Sequence, residues 1–360
     1  MRKVFLIGTL MLATAASAQQ KIDFESYNPP STLVVPQHPL TKAKFPFIDV
    51  HNHQFRMPTM DLTTLTTEMD KLNMRVMVNL SGGSGEQISG AAKNIKENKP
   101  GRFIVFANVD FKGVGEPGWG EKAAKQLEDD VKNGANGLKI YKSLGFSVKD
   151  ISGNRVPVDD ARLDLVWKKA GELKIPVIIH TADPKSFWDP LDNTNERWLE
   201  LIINPNRKRG ADNPVPFETL IAEQHNLFKK HKNTTFIAAH FGWYPNDLQK
   251  LSGILDAMPN VVVEFGAVIA EIGRQPKMAK AFFTKYQDRI LFGKDSWVPS
   301  EYATYFRVLE TEDEYFPYHK KYHAYWPMYG MGLPDAILKK VYYKNALRII
   351  PNIDKSDWPE

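Results

Sequence analysis

Residues 46–53 read Pro46-Phe47-Ile48-Asp49-Val50-His51-Asn52-His53. Phe47, Ile48 and Val50 make a short apolar run, and the two histidines close it. Residues two apart on a β-strand face the same side. A strand here turns both imidazoles one way, at a spacing that lets two histidines grip one divalent metal ion. An isolated His-x-His pair arises easily by chance, so its meaning depends on the rest of the chain.

Seven more apolar runs come after it: Arg75–Leu80, Phe103–Val109, Gly137–Tyr141, Ile175–His180, Thr235–His240, Val261–Phe265 and Ile290–Gly293. Between them lie helical patterns such as Gln87–Asn98, Gly120–Lys132, Asp160–Leu173 and Pro216–Lys230, and Pro334–Ile350 predicts a closing helix. The runs are apolar nearly throughout, which marks strands covered on both faces and hence a parallel sheet. Eight strand–helix units in one chain predict an α/β fold, a single (β/α)8 TIM barrel. A doubly wound open sheet is the alternative, but no GxGxxG follows the first strand. The expected organisation is a leader over 1–18, an irregular Pro-containing arm over 19–44, the barrel over 45–350 and a tail over 351–360. Long loops follow the fifth strand (181–214, with Trp188) and the eighth (297–333, beginning at Trp297). Both lie over the C-terminal mouth, where barrel active sites are built. Their aromatic side chains either line a pocket, cover the barrel or meet a second subunit.

Three more ligand-type residues end later strands: His180 the fifth, His240 the sixth, and Asp295 just past the eighth. Any one histidine there reads equally well as a satisfied core residue. Four histidines and an aspartate at strand ends do not, because burying that many polar groups without partners is costly. A bound metal removes the cost.

With Pro176-Val177-Ile178-Ile179-His180-Thr181, Ala239-His240-Phe241-Gly242 and Asn345-Ala346-Leu347-Arg348, this ordered set resembles the amidohydrolase superfamily, in its amidohydrolase-related (amidohydrolase-2) branch. The resemblance runs from Phe45 to Ile350. It implies that His51, His53 and His180 bind a divalent metal, with zinc the expected ion, and that Asp295 is a ligand or the general base. His240 then either holds a second metal or polarises substrate and water. Lys139, on the fourth strand, is carboxylated and bridges two metals in some members; in others a cation there meets an anionic substrate, and an ordinary ion pair is the third reading. One ion is expected, or two with Lys139 carboxylated. Trp243 joins Trp297 and Trp188 as a candidate substrate wall. A metal such as zinc brings the pKa of its water from about 15.7 to near 7.

Weaker candidates read as structural: His319 and His323 as lid or surface residues, His225 and His231 as solvated. The facing of Glu264 on the seventh strand is left open.

The chain has 360 residues and no cysteine, which excludes a disulfide scaffold, a thiolate zinc site and a cysteine nucleophile. The formal charge of +5 is spread along the chain rather than banked in a stripe, so no nucleic-acid partner is expected. Arg2 and Lys3, an apolar run from Val4 to Ala13, and Ala16-Ser17-Ala18 form the layout of a secretory signal peptide cleaved after Ala18. Its apolar run is shorter than the roughly 20 residues a bilayer needs, and no later run reaches that length. The expectation is a periplasmic or secreted protein with no membrane span and a small-molecule substrate, with a homo-oligomer left open. The leading reading is a metal-dependent hydrolase attacking a carbonyl in an amide, ester or lactone. The alternative is a metal-dependent non-oxidative decarboxylase on the same site, and a non-catalytic ligand-binding barrel stands third.

Overall fold

A computed structural model describes residues 21–23, 25–210, 215–323, 326–356 and 358–360. The expected leader lies outside them. Nine strand segments run in chain order: β1 (Phe47–Asn52), β2 (Met74–Asn79), β3 (Phe103–Val105), β4 (Ala107–Asn108), β5 (Leu138–Ile140), β6 (Val177–Ile179), β7 (Phe236–Ala238), β8 (Val261–Glu264) and β9 (Ile290–Leu291). Every pairing is parallel and joins neighbours in sequence, β1 to β3 and β4 to β9. β3 and β4 are one barrel strand that changes partner at Phe106. The Phe106 N–H donates to Asn79 O on one side, and the Ala107 N–H donates to Gly137 O on the other, each at 2.9 Å. Gly137 is required there, since a Cβ would lie 2.4 Å from the Phe106 ring. The last strand returns to the first: the Val50 N–H donates to Phe292 O at 2.9 Å, and the Asp295 N–H to His51 O at 2.7 Å. The chain is thus a (β/α)8 barrel.

The helices form for ordinary reasons. Leu62–Leu72 begins where the Asp61 side chain accepts from the Thr63 N–H and ends at Asn73 in the left-handed conformation. It buries Leu62, Leu65, Met69 and Leu72, one face at helical spacing. The expected closing helix is present as Asp335–Lys339, a π-turn over Lys340–Lys344, and Asn345–Ile349. The π-turn places Val341 O where it accepts from the Phe292 N–H at 3.1 Å, so this irregularity fastens the helix to the end of β9.

The loop after β6 contains the helix Trp198–Ile203, and the loop after β9 the helix Tyr302–Glu310. A buried charge network fastens the two. Arg197 pairs with Glu200 and Glu271, and His323 Nε2 lies 3.3 Å from Glu200 Oε1. Of the surface and lid readings for His323 and His319, the surface one does not hold: both are largely enclosed within the loop, with side chains 11% and 14% exposed. His231 is likewise largely enclosed, its side chain 11% exposed and its ring 2.9 Å from Asp164.

Val35–Glu360 form one compact unit, and the chain before Val35 falls outside it. Within the latter, the described residues carry turns at Asp23–Tyr27 but no helix or strand. No helix among the described residues is long and apolar enough to cross a membrane.

Candidate metal centre

The barrel brings all five strand-end residues to its C-terminal lip. His51 Nε2 lies 3.3 Å from Asp295 Oδ1, and His53 Nε2 lies 3.6 Å from the same oxygen. The His51 ring centroid is 5.0 Å from that of His240, which is 4.4 Å from that of His180. One donor atom each from His51, His240 and Asp295 fall within 4.8 Å of one another, tight enough to hold one ion. His53 and His180 flank that group. Lys139 is buried and its Nζ lies 3.3 Å from His51 Nε2, so it too points into the cluster.

The second nitrogen of each imidazole decides what the cluster can do. His51 Nδ1 lies 2.9 Å from Glu264 Oε1, His240 Nδ1 is 2.7 Å from Gly266 O, and His180 Nε2 is 2.8 Å from Ala182 O. Each of these oxygens only accepts, so each of these nitrogens carries the hydrogen and the opposite nitrogen is bare. His180 Nδ1 and His240 Nε2 then face each other 3.2 Å apart as two lone pairs. His51 Nε2 likewise faces the Asp295 carboxylate, with the Lys139 Nζ as its one cationic neighbour among the described residues, 3.3 Å away. Lone pairs crowded in this way repel unless a cation sits among them, and a divalent metal suits a set of imidazole nitrogens with one carboxylate. The residues present therefore fit the ion that the sequence implied.

The electrostatics agree. Burial, and then the Lys139 charge, push His51 down to about 4, and burial holds His180 well below its ordinary range, so both rings are neutral at neutral pH. Burial alone would raise Asp295, but the His51 and His53 imidazoles outweigh it and hold the carboxyl well below the usual carboxylate range. Asp295 is also the open edge of the cluster, its side chain 34% exposed while His51 is fully enclosed. Burial lowers Lys139 to about 8, which raises its neutral fraction near physiological pH.

Two carboxylates behind this set were not assigned from sequence. Glu264 is fully buried and takes three hydrogen bonds, from the His51 ring, from the His240 N–H at 2.8 Å and from the Gly266 N–H at 2.6 Å. Burial alone would raise its pKa, but the charge on the His51 ring and that ring's hydrogen bond, then the His240 charge and the Gly266 N–H, outweigh it and bring it to about 2. It is the kind of carboxylate that fixes the tautomer of a metal-binding histidine. Asp49 accepts from the backbone of His51 and Lys294 and from Asn52 and Tyr302, which ties the lip of β1 to the end of β9.

The chain is bent hard to reach these positions. His240, Phe241, Gly242 and Trp243 all have positive φ, between 55° and 64°, and Asp295 has φ 84°. Left-handed backbone at residues other than glycine costs about 1–2 kcal/mol each and persists where the surroundings impose it.

The three tryptophans have different placements. Trp243 is buried, its ring centroid 4.7 Å from His240 and 5.3 Å from His180. Trp297 is half-buried beside Tyr302. Trp188 packs on Phe146 and Phe217, and its indole N–H is taken by Val215 O.

The Amidohydrolase family model matches residues 89–351, most of the chain. The chain belongs to the amidohydrolase family. The match begins after His51 and His53, so the first strand and its two histidines lie outside it. As an amidohydrolase it is similar in fold to a TIM-barrel protein of Bordetella bronchiseptica (14% identity, TM-score 0.52, covering 84% of this chain and 97% of that one). It is similar also to 2,6-dihydroxybenzoate decarboxylase from Rhizobium (14%, 0.53, 85% and 98%). A third similar structure is a dihydroxybenzoic acid decarboxylase from Polaromonas sp. JS666 with bound manganese and 2-nitroresorcinol (16%, 0.53, 84% and 96%). No curated protein matches the chain by sequence.

Proposed function

We propose that this amidohydrolase is a metal-dependent hydrolase that adds water across the carbonyl of a small-molecule amide, ester or lactone. The observation that carries the reading is the convergence of bare ring nitrogens on one point, with an ionised Asp295 at its open edge. His51, His240 and Asp295 would hold a divalent ion, flanked by His53 and His180. Such an ion supplies an acidified water and an electrophile for the carbonyl oxygen. Asp295 takes the water's proton at a carboxylate oxygen and returns it to the departing amine or alcohol. Glu264 keeps the His51 hydrogen on Nδ1 while this happens. Lys139, as an ammonium, steadies negative charge on the substrate, and if carboxylated it would supply a ligand for a second ion.

Decarboxylation is the second reading. It is favoured by the two dihydroxybenzoate decarboxylases among the similar structures and by the Lys139 ammonium facing the cluster. The deciding experiment purifies the mature protein without chelator or histidine tag, measures its metal, and screens esters, lactones, amides and hydroxybenzoates for acid release and for CO2. Metal-dependent acid release without CO2, abolished in Asp295→Asn, is expected. CO2 release from hydroxybenzoates alone moves the assignment to carboxy-lyase, and a protein that takes up no metal overturns both. Export belongs to the same proposal: mature protein beginning at Gln19 in a periplasmic or culture fraction is the expected result, and an intact Met1 on cytoplasmic protein is the contrary one.

A further inference from the structure

His51, His180 and His240 each set one ring nitrogen against an oxygen that only accepts, whereas His53 sets its Nδ1 against a hydroxyl, Ser81 Oγ, at 2.8 Å. A hydroxyl either donates or accepts, so this contact alone leaves the His53 tautomer undecided. The decision lies one step further on. Ser81 Oγ is 2.8 Å from the Tyr141 hydroxyl, which is 3.2 Å from Leu80 O and a long 3.5 Å from His53 Nδ1. The row of groups therefore ends at a carbonyl.

Its hydrogens have two arrangements. In the first, His53 Nδ1–H donates to Ser81, Ser81 to Tyr141 and Tyr141 to Leu80 O, which makes three hydrogen bonds. In the reverse, Tyr141 donates to Ser81 and Ser81 to a bare His53 Nδ1, which makes two. The reverse also puts a hydrogen on His53 Nε2, facing Asp295 Oδ1 at 3.6 Å, beyond hydrogen-bonding distance. The first arrangement makes more bonds and leaves Nε2 bare toward Asp295.

The row is also firmly held. Asn79, buried at the end of β2, accepts from the Ser81 N–H at 3.0 Å and the Gln54 N–H at 2.8 Å, and donates to Gln54 O at 3.0 Å. It thereby fixes the residue after His53 against the backbone of Ser81. Tyr141 follows Lys139 by two positions and turns to the same side, its ring stacked 5.7 Å from that of His53 and 5.6 Å from the Lys139 Nζ. Burial raises the Tyr141 phenol above its ordinary range, so it keeps its hydrogen.

We propose that Ser81 and Tyr141 are positioning residues that lock His53 with its hydrogen on Nδ1 and so make its Nε2 a ligand of the metal centre. Because the row stops at a peptide carbonyl, it holds a hydrogen in place rather than conducting one. A His53 with its hydrogen on Nε2 would aim that hydrogen at Asp295, which costs the centre a donor and crowds the oxygen assigned to take a proton. The consequence for metal rests on the metal-dependent reading, but the tautomer is a property of the chain with or without the ion.

The test combines nitrogen NMR of histidine-labelled protein, zinc-loaded and metal-free, with zinc affinity from chelator competition. The His53 signals are assigned by their absence in His53→Gln. The wild type is expected to carry the His53 hydrogen on Nδ1 in both forms, as hydrogen bonding at one ring nitrogen sets the state of the other. Ser81→Ala removes the acceptor, and Tyr141→Phe frees the Ser81 hydrogen to donate to the ring. Each is expected to weaken zinc about 10–100-fold and to move the His53 hydrogen toward Nε2 in the metal-free protein. Ser81→Thr, which keeps the hydroxyl, is expected to retain both the tautomer and the affinity. A hydrogen on Nε2 in the wild type, unchanged zinc affinity in both variants, or weakened zinc with the tautomer unmoved overturns the inference. A wild type that keeps the hydrogen on Nδ1 but takes up no zinc would instead count against the metal-dependent reading.

Discussion

Glu264 accepts from the His51 ring and from the His240 backbone with one oxygen, so its charge fixes one imidazole's tautomer and the other's placement. Glu264→Gln keeps the shape, removes the charge and sets an amide against the Gly266 N–H or the His51 ring. Metal affinity is expected to fall about 10–100-fold, read by competition with a chelator of known strength; unchanged affinity would mean the carboxylate is only packing. Asp295→Asn is expected to lower kcat about 100-fold or more while KM and metal content move less, since the amide still ligates but takes no proton. A wild-type kcat in that variant would remove Asp295 as the base. His51, His53, His180, His240 and Asp295 were legible in the sequence because a histidine or aspartate closing an apolar run is chemically conspicuous. Glu264 was not, because it follows Val261, Val262 and Val263 on a strand buried on both faces, and nothing in that run says which way the fourth residue turns.

The strand ends carry information that the apolar pattern hides. The run ending at His240 reads as strand to its last residue, yet β7 stops at Ala238 and the chain enters a left-handed turn in which only Gly242 is a glycine. That turn sets Trp243 against the histidines, while Trp188, equally prominent in sequence, packs elsewhere because its loop closes over Phe217. Gly293, after β9, shows how tightly the lip is built: a Cβ there would meet Glu264 Oε2 at 2.2 Å and the His51 Cβ at 3.1 Å. Glu264 is pinned by the Gly266 N–H and has nowhere to retreat. Gly293→Ala is expected to cost about 1–3 kcal/mol of stability and to weaken metal binding. Gly253→Ala, in the exposed middle of the helix Leu248–Ala257 with open space around it, is expected to add about 0.5–1 kcal/mol. Denaturant melts of the two read opposite signs, and equal effects would show that the lip tolerates a methyl. On the helix Phe217–Lys230, His225 is half-buried and lowered to about 4 by burial, then by Lys229 and Lys250. The unfolded chain takes up its proton near 6.5 and the folded one near 4, so this residue's stability contribution is full above 6.5 and drains away as pH falls toward 4. His225→Gln is expected to flatten that fall by on the order of 1 kcal/mol, the full shift being discounted for partial screening by water. Melting temperatures at pH 7 and pH 4.5 check it, and parallel losses in both proteins would contradict it.

Over the whole molecule, the barrel and the metal centre close on each other. Asp49 and Lys294 are 245 positions apart and meet through one hydrogen bond, and the donor set draws on the lips of β1, β6, β7 and the segment after β9. The barrel itself was legible, because eight buried parallel strands must be apolar and evenly spaced. The devices that close it were not, since the Val341 carbonyl and the Asp49 carboxylate act through positions that only the finished ring brings together. Donors this far apart in sequence form no site in the unfolded chain, so a metal bound to them stabilises only the folded state. That linkage amounts to about 4 kcal/mol when the free ion is 1,000 times its dissociation constant. Exhaustive chelation is therefore expected to lower the melting temperature by several degrees, and zinc or manganese to restore it. His51→Ala should melt near the chelated value and respond to neither. One equivalent of ion at full restoration assigns Lys139 as an unmodified cation, and two assign it as a carboxylated ligand, with a matching mass increase in the native protein. A wild-type melting curve that ignores both chelator and ion would leave the lone pairs of His180 and His240 facing each other without a cation, and would require one of the two rings to be protonated instead.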